Sequence, residues 1–132
     1  MKKFFKNLSS IIKGNYGEKL AESYLRKKGF EIIERNYRLK FGEVDLIAKK
    51  KKLLVFVEVK SDFSNKEFGA EEKVDFKKQQ KILRVARYYI LKNPNLMKKI
   101  EEIRFDVIVV KNDEEVVHYE SAFFEEGDFT RY

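Results

Sequence analysis

Glu43-Val-Asp-Leu-Ile-Ala48, the lysine run Lys49 to Lys52, and Leu53-Leu-Val-Phe-Val-Glu-Val-Lys60 stand in succession near the middle of the chain. Two alternating, mostly apolar stretches around a charged tip predict a β-hairpin. The tip lacks the Asn-Gly or Gly of a tight primed turn, so loops of two and of four residues both remain open. A symmetric loop of either length gives one register, in which Leu46 meets Val57, Ala48 meets Val55 and Ile47 meets Phe56. Asp45 then falls opposite Glu58, and Glu43 opposite Lys60. Val44 and Val59 extend the face of Leu46, Ala48, Val55 and Val57, which is wholly apolar. A slip of one residue would turn Glu58 away from Asp45 and drive its charge into that face. A bulge would complicate the pattern without removing it.

A strand covered on both sides is expected to be nearly all apolar. Asp45, Glu58 and Lys60 break that expectation together, on one face and at one end of the hairpin. Directly opposed residues have Cβ atoms about 4.5–5.5 Å apart. Two carboxylates about 4 Å apart repel by roughly 4 kcal/mol at an effective dielectric near 20, so something positive must offset them. A hard divalent cation suits the site, because Mg²⁺ takes one or two carboxylates and keeps several waters. Lys60 beside it could orient or help deprotonate the attacking water and stabilise a phosphorane-like transition state. The alternative is a salt bridge from Lys60 to Glu43 or Glu58 that carries no chemistry.

The rest of the composition narrows the chemistry. With 132 residues the chain makes one domain, spanning 1–132, with a basic arm over 1–13 and an acidic tail over 124–132. It has no Cys and one His, which excludes disulfides, thiolate nucleophiles and Cys-bound zinc, and leaves little scope for a Ser-His-Asp triad. No apolar run approaches the ~20 residues of a membrane span. The start, Met1 to Lys6, lacks the apolar centre of a signal peptide, so the cytoplasm is the expected compartment, with no membrane partner. Any metal must be held by carboxylates and carbonyls, and any hydrolysis must use water.

The net charge of +7 conceals a split. Residues 113–132 hold seven acids against Arg131, a net of −6, which leaves +13 on residues 1–112. A basic body of this size fits a polyanion, since each neutralised phosphate releases condensed counterions. A Lys-rich solvated surface accounts for the same charge without a partner.

Along the chain, Tyr16, Leu20, Tyr24 and Leu25 fall at helical spacing over Asn15 to Lys28, with Gly29 placed as a C-terminal cap. Phe30 to Arg38 reads as a strand. A polar loop from Ser61 to Lys73 precedes a helix from Asp75 to Leu91. Phe76, Ile82, Leu83, Ala86, Tyr89 and Ile90 mark its buried side, and Lys77, Lys81, Arg84 and Arg87 its basic side. Asn93-Pro94-Asn95 ends it. Ile103 to Val110 is a strand with Arg104 and Asp106 in the opposite phase to Phe105, Val107 and Val109, and Val116 to Phe123 is an edge strand. His118 in that strand reads as structural or surface. The order α-β-β-β-α-β, with a final β, is an α/β sandwich around a mixed sheet.

Asp45 followed by Glu58-Val59-Lys60 resembles the PD-(D/E)XK nuclease signature, with Val44 in place of its Pro, and the element order resembles that superfamily's restriction-endonuclease-like αβββαβ core, a central mixed sheet flanked by helices. The set Gly17-Glu18-Lys-Leu-Ala21, Gly29-Phe30, Arg35-Asn36-Tyr37-Arg38, Gly42-Glu43-Val-Asp45-Leu-Ile-Ala48, Val57-Glu58-Val-Lys60, Val74 to Gln79 and Arg104 to Ile108 resembles the YraN family of uncharacterised bacterial proteins, similar to archaeal Holliday-junction resolvases. The likeness runs from about residue 14 to 123. It implies that Asp45 and Glu58 are metal ligands, with the Val59 carbonyl as a third, that Lys60 is the catalytic lysine, and that Glu18 is a helix carboxylate added to the site. It also implies that Lys78 and Gln79 support the site or touch phosphate, although Gln79 could equally be a satisfied buried amide and Glu18 a solvated charge.

These residues lead to a metal-dependent endonuclease acting on DNA, including branched DNA, with Mg²⁺ as cofactor and Mn²⁺ as a substitute. Arg38, Lys77, Lys78, Gln79, Lys81 and Arg84 are its candidate phosphate contacts, and a two-fold substrate would suit a homodimer. The competing class is a non-catalytic nucleic-acid-binding or scaffold protein on the same fold. A structural or protein-interaction module would instead use the acidic tail as a partner surface.

Overall fold

A computed structural model describes residues 16–62 and 74–123; the basic arm at 1–13, the polar loop beyond Asp62 and the acidic tail lie outside the described residues. Helix α1 covers 16–27. Strands β1 (Glu31–Leu39), β2 (Gly42–Lys50) and β3 (Leu53–Asp62) follow, then α2 (Phe76–Lys92), the one-turn α3 (Pro94–Met97), β4 (Glu102–Lys111) and β5 (Val116–Phe123). The strands form one mixed five-stranded sheet in the order β1-β2-β3-β4-β5. Only β3 and β4 are parallel, and α2 lies in the crossover that such a pair requires. The α/β sandwich and the edge position of β5 are as expected.

Among the described residues, a long helix packs on each face of the sheet. On one side Ala21 and Leu25 of α1 pack with Leu46, Ala48, Val55, Val57, Ile108 and Val110. On the other, Ile82, Leu83, Val85, Ala86, Tyr89 and Ile90 of α2 pack with Ile47, Leu54, Phe56, Phe105, Val107 and Val109. Burial of a single Leu, Ile or Phe in these layers is worth about 1.5–3 kcal/mol. Helix α1 ends in a Schellman motif: Phe30 N–H donates to Leu25 O and Gly29 N–H to Arg26 O, with Gly29 at φ +97°, where a Cβ would be strained. Asp75 caps α2, its carboxylate accepting from Lys78 N–H at 2.8 Å. At the far end the Asn93 amide donates to Tyr89 O, and Pro94 cannot continue the ladder.

The hairpin register is the expected one from Lys50–Leu53 to Leu46–Val57, with the two-residue turn Lys51-Lys52 and Lys51 at φ 54°. Beyond Leu46–Val57 the pairing stops, and three expectations need correction. Val44 does not join Leu46 and Ala48; it packs on the α2 side with Ile47. The alternation breaks at Asp45, alongside Asn36 of β1, which has φ 48°, so the strand phase changes there. Glu43 does not face Lys60; its carboxylate accepts from Arg38 Nε at 2.7 Å across the β1–β2 hairpin. Phe76 is not part of the core but 73% exposed. Val74, just outside the helix, closes the core at that end instead.

Candidate active site

The end of the β2–β3 ladder creates the site. Where the next backbone bond would form, Asp45 Oδ2 accepts from Val59 N–H at 2.8 Å. A strand N–H points along the sheet plane toward its neighbour, so the Asp45 carboxylate occupies the opening between β2 and β3. Glu58, on the α2 side of β3, is 5% exposed. Its Oε1 lies 2.7 Å from Lys78 Nζ and 3.5 Å from Lys60 Nζ. Lys78 comes from the first turn of α2, positioned by the Asp75 cap. Asp45, Glu58, Lys60 and Lys78 therefore converge from two strands and a helix.

The electrostatics are those of a crowded, half-buried cluster. Burial, then the Glu58 charge, and to a lesser degree the Glu18 charge, push Asp45 up to about 7 against the pull of Val59 N–H and Lys78. Burial and the neighbouring Lys78 hold Lys60 below its ordinary value, against the attraction of Glu58. Burial also works against the Lys78 ammonium, but its bonds to Glu58 and Lys60 outweigh that and raise it. Lys78 thus holds its proton more firmly than Lys60 does.

The other expected site residues divide into groups. Glu18 is half-buried on α1 and acts on Asp45 through its charge. It lines a hollow of about 780 Å³ with Glu22, Arg35 and Asn36. Val59 lies between β2 and β4, where it pairs with Ile108. Lys77, Lys81 and Arg84 are exposed along α2 and, with Arg38, line a groove against the β1–β2 turn. Gln79 is spent locally: its amide donates to Val74 O at 2.9 Å.

Sequence reasoning missed a second polar cluster. Asp106 is wholly buried on the α1 side of β4. It accepts from Arg104 at 2.9 and 2.8 Å and from Ser121 N–H at 3.0 Å, and lies 2.7 Å from His118 Nε2. His118 Nδ1 lies 3.2 Å from the Tyr24 hydroxyl. Burial works to raise Asp106, but the bonds from His118, Arg104 and Ser121 outweigh it and hold the carboxyl below its ordinary value. His118 is thus structural and not surface, with its side chain 3% exposed. The polar phase of Arg104 and Asp106 in an apolar strand was the available signal.

Among the described residues, no three His, Asp or Glu side chains form a ready-made metal-holding group. The donor set is two carboxylates, Asp45 and Glu58. In kind this fits a hard, oxygen-seeking divalent cation that retains water in most of its shell. Among the described residues no helix is long and apolar enough to cross a membrane.

A model of the uncharacterised protein family UPF0102 matches residues 17–110, which contain the whole cluster. A UPF0102 protein of Thermodesulfovibrio yellowstonii is 44% identical over 117 residues, covering 89% of this chain and 100% of that one. Another, from Clostridioides difficile, is 52% identical over 113 residues, covering 84% and 96%. Among solved structures, Pyrococcus furiosus SfsA in complex with Ca²⁺ aligns with 84% of this chain and 63% of its own, at 18% identity and a TM-score of 0.36. A likeness at that level supports nothing about activity.

Proposed function

The chain belongs to the uncharacterised protein family UPF0102 (YraN), and from that footing we propose that it is a metal-dependent endonuclease hydrolysing phosphodiester bonds of DNA, branched DNA included, in the cytoplasm. The observation that carries the reading is the pairing of Asp45, lodged in the opening of the β2–β3 ladder, with Glu58 and its two lysines. Two neighbouring carboxylates deep enough to push Asp45 up to about 7 are costly for folding alone, and such perturbed groups concentrate at functional sites.

Asp45 and Glu58, with the Val59 carbonyl, would hold Mg²⁺ or Mn²⁺, which when bound supplies positive charge against the phosphoryl oxygens. Lys60 is the group for the proton of the attacking water, because burial and Lys78 favour its neutral form. Lys78 holds Glu58 in place and adds charge where the leaving oxygen develops its own. Glu18 acts on Asp45 from α1, tuning its ionisation. Lys77, Lys81 and Arg38 contact backbone phosphate, which positions a substrate without reading its sequence.

Incubation with labelled linear, flap and four-way-junction DNA under Mg²⁺, Mn²⁺ or EDTA tests the reading. Metal-dependent cleavage that disappears in Asp45→Ala and in Lys60→Ala is expected. Salt-sensitive binding without cleavage on every substrate would replace it with the non-catalytic binding role. Neither binding nor cleavage would sink both.

A further inference from the structure

We propose that the groove between the β1–β2 turn and α2 receives an unpaired nucleotide, its base stacking on the cluster of Phe41, Arg84 and Tyr88 and its phosphates held by Lys77 and Lys81. The inference rests on nucleic acid being the ligand, as above. It adds the class: a strand with unpaired bases next to the duplex, in preference to continuous duplex.

The groove has a volume of about 730 Å³. Its narrow end is set by Gly42, where a Cβ would stand only 3.2 Å from Val85 and 3.3 Å from Lys81, so the turn is pressed onto the helix. That contact delivers Phe41 to α2. The Arg84 guanidinium carbon lies 4.4 Å from the Phe41 ring centroid, and the Tyr88 ring stands edge-on to Phe41 at 6.3 Å and 75°. Lys92 Nζ is 5.5 Å from the Tyr88 centroid. Tyr88 is 38% exposed, whereas its neighbour Tyr89 lies in the core. An exposed tyrosine ring and an exposed guanidinium plane beside the half-buried Phe41, set among cations, are what bases stack on, and stacking accepts any base because each has a π-face.

Two further observations give the groove a direction and a charge. It shares Gly42, Glu43, Lys77 and Lys81 with an adjoining hollow that Lys78 also lines, and Lys78 bonds Glu58. A strand anchored at Phe41 and crossing Lys81 and Lys77 therefore reaches Lys78, the partner of Glu58. On the α1 side the two arginines of the Glu18 hollow, Arg26 and Arg35, both bond Glu22. Lys77, Lys81 and Arg84, by contrast, pair with no carboxylate among the described residues.

The test is fluorescence anisotropy of the full chain in EDTA, so that binding is read apart from cleavage. One probe is a blunt duplex and the other the same duplex with a single-stranded flap. The wild type should prefer the flap. In Tyr88→Ala and, independently, in the solvent-facing Arg84→Ala, the loss on the flap should exceed the loss on blunt duplex by about 5- to 100-fold, and Tyr88→Phe should restore the preference. Lys77→Ala with Lys81→Ala should weaken both probes and lower the salt slope by about two. Equal losses on both probes, or no loss in either aromatic-cluster variant, overturn the stacking site while leaving the nuclease reading standing. A wild type that binds neither probe overturns both.

Discussion

Lys78 Nζ lies 2.7 Å from Glu58 Oε1, and this one contact joins the first turn of α2 to the open end of the central hairpin. Without it Glu58, 5% exposed, would keep only the longer Lys60 contact at 3.5 Å. Lys78→Met should therefore destabilise the fold by about 1–3 kcal/mol, below the full cost of stranding a buried charge because Lys78 itself is partly solvated. Glu58→Gln in the Lys78→Met background should recover most of that loss, since it removes the stranded charge. Urea unfolding at neutral pH measures both. Equal destabilisation by the double variant would show that Glu58 is stabilised by something other than the lysines.

Asp45 gives the protein a characteristic pH dependence. Its carboxyl is pushed up to about 7 by burial and Glu58, above the ordinary 3.8 of the unfolded chain. Between those values the folded state binds the extra proton, so stability is greatest below the unfolded value and falls as pH rises toward 7. Asp45→Asn, which can still accept from Val59 N–H, should flatten that fall. Thermal unfolding across pH 4 to 8, roughly the window set by the shift, reads the difference. A slope unchanged in Asp45→Asn would assign the pH dependence to another group.

The hairpin and its charges were legible because period-two alternation and opposed strand positions are local properties. Leu46–Val57 and Ala48–Val55 need nothing beyond residues 43–60. What was not legible depended on other elements. The reversal at Val44 arises beside the left-handed Asn36 of a neighbouring strand, which the hairpin sequence does not encode. Phe76 has helical phase with Leu83, yet phase cannot tell where the core ends, and Val74 ends it. The pairing of Glu43 with Arg38 follows from β1 lying beside β2, which competes with the β3 partner that the hairpin alone suggests. Lys78 was expected near the site only through resemblance; its bond to Glu58 requires α2 to cross β3.

Asp106 shows the same limit and yields a separate prediction. Its partners Arg104, His118 and the Ser121 N–H come from two strands, and Tyr24 of α1 completes the chain through His118. Asp106→Ala leaves Arg104 facing a buried gap and should cost about 3–5 kcal/mol. The carboxyl is held below its ordinary value, so its contribution is fully present above the unfolded pKa and is lost as pH falls through the folded one. Asp106→Asn should accordingly shift acid unfolding to a shallower limb below about pH 4. This is opposite in sign to Asp45 and in a lower window, so the two variants can be told apart in one titration series.

Gly42 is the last position where packing and function meet. A methyl group there would face Val85 at 3.2 Å, Lys81 Cβ at 3.3 Å and Lys81 O at 3.4 Å. Two of these three atoms belong to the helix backbone or its first side-chain carbon and cannot swing aside, so the turn itself must lift from α2. Gly42→Ala should destabilise by about 1–3 kcal/mol, the usual cost of overpacking. At Gly17 the crowding comes chiefly from the Ser61 hydroxyl, which can rotate away, so Gly17→Ala should cost less. Because Gly42 also sets the spacing between Phe41 and the Lys77–Lys81 side of the groove, its substitution should weaken flap binding more than the stability loss alone explains, measured well below the melting temperature. Flap affinity falling only in proportion to the unfolded fraction would separate the groove from the turn pressed against it.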